Sequence, residues 1–408
     1  MGHERSRRRR WLAVSCCGTV GFLWPSTTVV NAARPEVLQL AGGGYSAYAV
    51  AKDGSVWAWG DDIEGQLGDG TDFGISLVPV RVLRLPGAVA VVASANSAFA
   101  LQDNGSVWAW GDDAIGELGT GKEPFTSGIP VRVRDLDHIA LLAAGDLSVY
   151  ALRQDGTVWA WGNNAFGQLG RGTGTLESDV PIEVSGLSDV EGLAAGENTA
   201  FALRRDGTVW AWGDGTFGEL ARPGGPGADS APLEVPQLTQ VSAIAASTYT
   251  AFALNADGTV ASWGDGSFGQ LGNGNCKPAS AACPLSSEPT RVSMLNHVTA
   301  ISAGGYAAYA LESDGSVWAW GYGAYGQLGN GSTSSSDVPV RVVGLRHVVA
   351  IAGGGNAAYA LESDGSVWAW GYGAYGQLGN GTFSSSVVPR PVEFPSGAGV
   401  PEKGQPAV

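Results

Sequence analysis

Four aspartates, Asp61, Asp112, Asp214 and Asp265, each stand directly after a Trp-Gly pair, and the same slot holds Asn163, Tyr322 and Tyr372 elsewhere. A second recurring slot, after a short turn rich in glycine, holds Tyr45, Asn96, Leu147, Asn198, Tyr249, Tyr306 and Asn356. Carboxylates at matched positions suggest three kinds of chemistry. A calcium site needs about six to eight oxygens close together, whereas one carboxylate per recurring unit spreads them apart. A glycosidase needs two carboxyl groups roughly 5 to 9.5 Å apart, which an acid-rich chain leaves open. Aspartate mixed with tyrosine suits a protein-recognition surface, because tyrosine is enriched in binding patches. Against all three stands a structural role, in which each aspartate accepts hydrogen bonds from the amides of its own turn.

Other reactive side chains offer less. His138, His297 and His347 occupy one equivalent position in three units, so they are kept apart, and neither a Ser/His/Asp set nor a metal-ligand spacing is visible. We expect no catalytic residues, no metal and no cofactor. Cys276 and Cys283 bracket "CKPASAAC", a spacing that is neither CxxC nor a zinc pattern. In an oxidising compartment such a close pair forms a disulfide.

What positions these residues is a repeat. "DGSVWAWGYGAYGQLGNG" at 314–331 returns unchanged at 364–381, and turn glycines recur at Gly54, Gly105, Gly156, Gly207, Gly258, Gly315 and Gly365. The intervals are 51, 51, 51, 51, 57 and 50 residues, the long one containing the cysteine loop. Each unit reads as strands. In the sixth, "HVTAISAG" is a short apolar strand, "AAYALES" alternates toward an Asp-Gly hairpin turn, "SVWAWG" alternates out of it, and "VPVRVVGL" follows a loop. Four antiparallel strands make a blade, and seven blades make an all-β seven-bladed propeller over residues 33–394.

Alternation sends Trp318 and Trp320 to one face of their strand and Ala319 to the other. The bulky face is expected to meet an alanine-lined face of the next blade, carrying residues such as Ala308 and Ala310. This reading makes the tryptophans core rather than an exposed sugar-stacking platform. Unit five has "VASW" in place of "VWAW", so a looser blade is expected there.

The termini differ in kind. Arg5 and Arg7–Arg10, an apolar run from Trp11 to Trp24 and the small-residue stretch Val30-Asn31-Ala32 describe a secretory signal over residues 1–32. Arg8-Arg9-Arg10-Trp11-Leu12 loosely fits the twin-arginine type, and an uncleaved membrane anchor is the alternative. Residues 395–408 have too little apolar content to pack. Formal charge is −15 for the whole chain; residues 1–32 hold five arginines and Glu4, so their loss leaves 18 basic and 37 acidic side chains, −19. Such a chain repels phosphate backbones, which excludes nucleic acid as a partner. The mature chain contains no further apolar stretch of the roughly 20 residues that a membrane span needs.

The pattern AGG-x4-AL-x2-DG-x-V-x2-WG-x4-GQLG-x-G, as in residues 303–331, resembles the repeat of the regulator of chromosome condensation family, and the likeness extends over all seven units. The resemblance implies a seven-bladed propeller. Two departures limit what else it implies. The family commonly has histidine just after its paired glycines, where this chain has Tyr45 and its counterparts. The founding member is nuclear, exchanges guanine nucleotide on a small GTPase and holds nucleosomes, whereas this chain is acidic and carries an export signal, which points to an exported bacterial member.

In an up-and-down blade the first and third connections share one face of the ring. That face gathers Tyr45, Asp61, Asp112, Asp214, Tyr249, Asp265, Tyr306, Tyr322 and Tyr372, our candidate binding residues, with Phe166, Phe217, Phe268, Tyr325 and Tyr375 later in the same loops. The expected function is an exported, non-enzymatic, monomeric scaffold that binds a protein partner through this face. The expected location is a bacterial periplasm, cell surface or medium. A structural envelope or matrix component is the alternative, with a propeller hydrolase behind it.

Overall fold

A computed structural model describes residues 35–71, 74–85, 87–122, 126–172, 174–222, 227–276 and 283–395. The expected signal at 1–32 and nearly all of the tail at 395–408 lie outside the described residues. Within them the chain forms seven four-stranded antiparallel sheets, each made from consecutive strands. Blade one comprises Val37–Gly42, Ser46–Ala51, Val56–Asp61 and Ile75–Arg81; blade seven comprises Val348–Gly353, Ala357–Glu362, Val367–Gly371 and Ser386–Pro391. The described residues include no helix long and apolar enough to cross a membrane.

Burial follows strand number. The second strand of blade one is buried throughout, and the fourth strand of each blade alternates toward solvent. Between sheets, the second tryptophan of each pair is the central packing element. Trp59, Trp110, Trp161, Trp212, Trp263, Trp320 and Trp370 are all fully buried. Each meets an aromatic ring of the preceding blade edge to face, as Trp110 meets Tyr48 and Trp320 meets Phe252, at 6.2 and 6.0 Å between centroids.

Two expectations need correction. Ala308 and Ala310 do not belong to a facing blade's receiving surface; they are the cross-strand partners of Trp320 and Trp318 within the same sheet. Residues directly opposite in an antiparallel pair share a face, so the alanines leave room for the rings. The combined surface packs onto the Tyr/Phe-bearing face of the preceding blade. Nor do all the tryptophans belong fully to the core. The first of each pair is half-buried in five blades, Trp57 being the buried exception, and Arg153 covers Trp159 at 4.2 Å.

In blade five that division leaves the central ring in place. Ala261 replaces only the peripheral ring, Trp263 remains, and the strand pairing from Thr250 to Val260 matches the other blades. Ser262 adds a hydrogen bond from its hydroxyl to the carbonyl of Leu271, at 2.7 Å.

Candidate functional site

The glycine of each Trp-Gly pair fastens two loops together. Gly60 has φ +106°, and a side chain there would collide with the carbonyl oxygen of Tyr45; the other blades repeat the arrangement. The following amide, that of Asp61, donates to the same carbonyl at 3.0 Å. Each post-glycine residue is thereby held beside the start of its own blade's long loop. Glycine is required because an L-residue would meet both strain and backbone.

From that start the loop folds back on itself. Asp214 accepts the amide and hydroxyl of Thr216 at 3.0 and 2.6 Å, and Asp112 accepts the amide of Ala114 at 3.1 Å. Asp265 accepts the amide of Ser267 at 2.9 Å and Nε2 of Gln270 at 3.0 Å. Asp61 accepts the amide of Asp62 at 3.1 Å, and burial raises its pKa above the usual carboxylate value. Asp61, Asp214 and Asp265 are buried, and Asp112 is half-buried. The four carboxylates thus shape their loops more than they face solvent.

Further along each loop, a buried glutamine or glutamate side chain accepts the amide two residues before it. Gln270 takes that of Phe268 at 2.7 Å, Gln327 that of Tyr325 at 3.0 Å, and Gln377 that of Tyr375 at 3.0 Å. Its own carbonyl receives the indole Nε1–H of the next blade's buried tryptophan. Interface packing and ring placement therefore share one residue.

The rings so placed touch in sequence across blade boundaries. Phe217 meets Tyr249 at 4.5 Å, Tyr249 meets Tyr306 at 6.3 Å, and Tyr306 meets Phe268 at 5.3 Å. Phe268 meets Tyr322 at 4.9 Å, Tyr322 meets Tyr325 at 5.9 Å, and Tyr325 meets Tyr372 at 4.8 Å. Tyr372 meets Tyr375 at 6.1 Å, and Tyr375 meets Tyr45 at 4.6 Å. This arc runs from blade four through blades five, six and seven to blade one. Tyr45, Phe268 and Tyr325 are exposed, and the other rings are half-buried. The five candidate tyrosines are all in it.

Charge on the arc is set by neighbours. The hydroxyl of Tyr249 is raised above its usual pKa by burial first, then by the neighbouring carboxylates of Glu197 and Asp146. Tyr306 is raised by burial, Glu197, Asp265 and Asp146. Sequence reading passed over Asp146 and Glu197, although they stand where Gly44, Gly305 and Gly355 stand in other units. It also passed over "GELG" and "GELA" in place of "GQLG". Glu117 and Glu219 are buried, and burial pushes their pKa values up to about 7 and about 8.

His138, His297 and His347 lie in left-handed conformation, φ 54°, 60° and 50°, in the links at the opposite rim. Among the described residues no group of three His, Cys, Asp or Glu could hold a metal ion. Cys276 and Cys283 form the expected disulfide, and the amide of Cys276 donates to Asp337 of blade six at 3.0 Å.

Seven such blades, locked by tryptophan and glycine at fixed positions, define a propeller of the regulator of chromosome condensation type. Residues 132–403 match the RCC1-like domain, and residues 53–101 and 104–152 match the Regulator of chromosome condensation (RCC1) repeat. The chain belongs to this family. It is 31% identical over 315 residues to the human E3 ubiquitin-protein ligase HERC2, a stretch that covers 73% of this chain and 6% of that one. It therefore spans a small fraction of the ligase. It is 30% identical to the Ultraviolet-B receptor UVR8 of Arabidopsis thaliana, over 74% of this chain and 69% of the receptor. The structure of Prp20p from Saccharomyces cerevisiae, a protein described by its binding to Gsp1p and histones, superposes with TM-score 0.67 at 25% identity, over 81% of this chain and 84% of that one.

Proposed function

We propose that this chain is an exported, non-enzymatic propeller that recognises a protein partner through its ring-bearing loop face. The observation that carries the reading is the unbroken chain of ring contacts from Phe217 to Tyr45. Mutual contact fixes the rings before a partner arrives, so docking costs little side-chain entropy. Tyrosine supplies apolar area with a polar edge, the composition of binding hot spots. Protein binding by Prp20p supports the class of function, and the signal-like residues 1–32 support export. Buried acids that organise turns, and histidines kept apart at the other rim, favour binding over catalysis.

The test is affinity capture from the medium and envelope fraction of the producing cells, using wild type and the variant Tyr45→Ala/Tyr322→Ala/Tyr372→Ala. We expect a saturable partner that the variant loses by at least ~10-fold in affinity while its unfolding transition stays cooperative. Equal capture by both forms refutes the reading.

A further inference from the structure

The loop face is divided into a ring-bearing part and an acidic part, and this division points to the chemistry of the partner. The inference rests on the reading that this face binds a protein. The arc leaves out blades two and three, whose inner turns carry Asn96 and Leu147 instead of tyrosine. At the blade-four end of the arc, the amide of Glu197 donates to the carbonyl of Thr248, next to Tyr249, at 3.3 Å, and the charges of Glu197 and Asp146 act on both Tyr249 and Tyr306. At the other end Asp61 acts on Tyr45.

Among the described residues of this face positive charge is sparse. Among the described residues, Lys122, Arg171 and Arg222 are the cations of its loops, and Arg222 is paired with Asp229 at 2.9 Å. The remaining described lysines and arginines sit at strand ends, hairpins and links of the opposite rim, as Arg134 and Arg204 do. A face lined by one sign of charge over a low-dielectric scaffold concentrates and steers oppositely charged partners. Tyrosine faces also attract ammonium and guanidinium groups, more strongly where these are partly desolvated. The rings lean on one another at centroid distances of 4.5 to 6.3 Å.

We infer that the segment of the partner seated on this face is a protein stretch rich in lysine and arginine. Its cationic side chains lie over the tyrosines, with the half-buried carboxylates of Glu197 and Asp146 at the blade-four end of the arc as counter-charges.

The test selects a random twelve-residue peptide library on the full chain, counter-selects on Tyr45→Ala/Tyr322→Ala/Tyr372→Ala, and titrates the recovered peptides at low and high salt. We expect net-positive peptides whose affinity falls about 10-fold or more between about 0.05 and 0.5 M salt. A second variant, Asp146→Asn/Glu197→Gln, retains the rings and their packing; it is expected to weaken these peptides about 5-fold or more. Peptides that require the tyrosines but are neutral or acidic, or ignore salt and the second variant, overturn the cationic assignment and leave the binding face standing. Enrichment of nothing, or of peptides indifferent to the tyrosines, overturns both. Binding of a neutral polysaccharide that the tyrosine variant loses, with no peptide bound, overturns the protein reading in favour of a sugar site.

Discussion

Trp59 donates its indole Nε1–H to the backbone carbonyl of Gln377, 2.9 Å away across 318 residues of sequence. The ring is closed by this contact and its surroundings, and among the described residues no strand is exchanged between the first and last sheets. The same bond joins every other neighbouring pair, from Trp110 to Gln66 at 2.8 Å through Trp370 to Gln327 at 2.9 Å. Tyr359 meets Trp59 edge to face at 6.1 Å, and its hydroxyl donates to that same Gln377 carbonyl at 2.9 Å. Closure thus uses an ordinary interface, so the repeat needs no special terminal unit.

Replacing Trp59 by Phe removes the indole donor, leaves a void and abandons one lone pair of a buried carbonyl. We predict a loss of about 2 to 4 kcal/mol by denaturant titration. Trp368→Phe is the matched control. Trp368 is half-buried and its Nε1 has no hydrogen-bond partner, so the change is expected to cost under about 1 kcal/mol.

Ala221 is buried in left-handed conformation, φ 48°, where the other six blades have glycine. At those glycines a Cβ would crowd the neighbouring tryptophan, as at Gly272, 2.8 Å from Trp320. Blade four therefore holds a methyl against Trp263 in a backbone state that alanine disfavours. Ala221→Gly is expected to stabilise the protein by about 1 kcal/mol. An unchanged or lowered unfolding midpoint would show that the fold has fully accommodated the methyl.

Glu117 and Glu219 occupy the slot that holds glutamine in five blades. With folded pKa values of about 7 and about 8 against an unfolded value near 4.5, the folded state binds more protons than the unfolded state between those limits. Stability from these groups is thus present below pH 4.5 and falls as pH rises toward 8. Glu117→Gln/Glu219→Gln should be more stable than wild type at pH 8 by about 1 to 3 kcal/mol and nearly equal at pH 4.5. Asp62, raised to about 6 by burial, keeps a smaller slope of the same sign in the variant. Parallel stability curves for the two proteins between these pH values would contradict the assignment.

The blades were legible because a strand's two-residue period and an Asp-Gly hairpin are local signals repeated seven times. The loop face was legible for the same topological reason. The fate of individual side chains was less so. Trp318 and Trp320 share a face, yet one is half-buried and the other fully buried, because depth along the interface depends on the neighbouring sheet. Asp61, Asp214 and Asp265 looked like surface groups from their loop positions, yet turn amides draw them inward. Contacts between rings of different blades, such as Phe268 with Tyr322, depend on how far apart the loops stand in space. The substitution of Asp146 and Glu197 for glycine was visible in the repeat alignment and was the available clue to the acidic part of the face.

The central claim is that the loop face, and not the opposite rim, contacts a partner. Its most direct measurement places a photo-crosslinking amino acid at position 325 in one protein and at position 135 in another, then illuminates both in extracts of the producing cells. The account predicts a discrete, saturable crosslink from position 325, competed by unlabelled wild type, and none from position 135. A crosslink confined to position 135, or none from either, would contradict it.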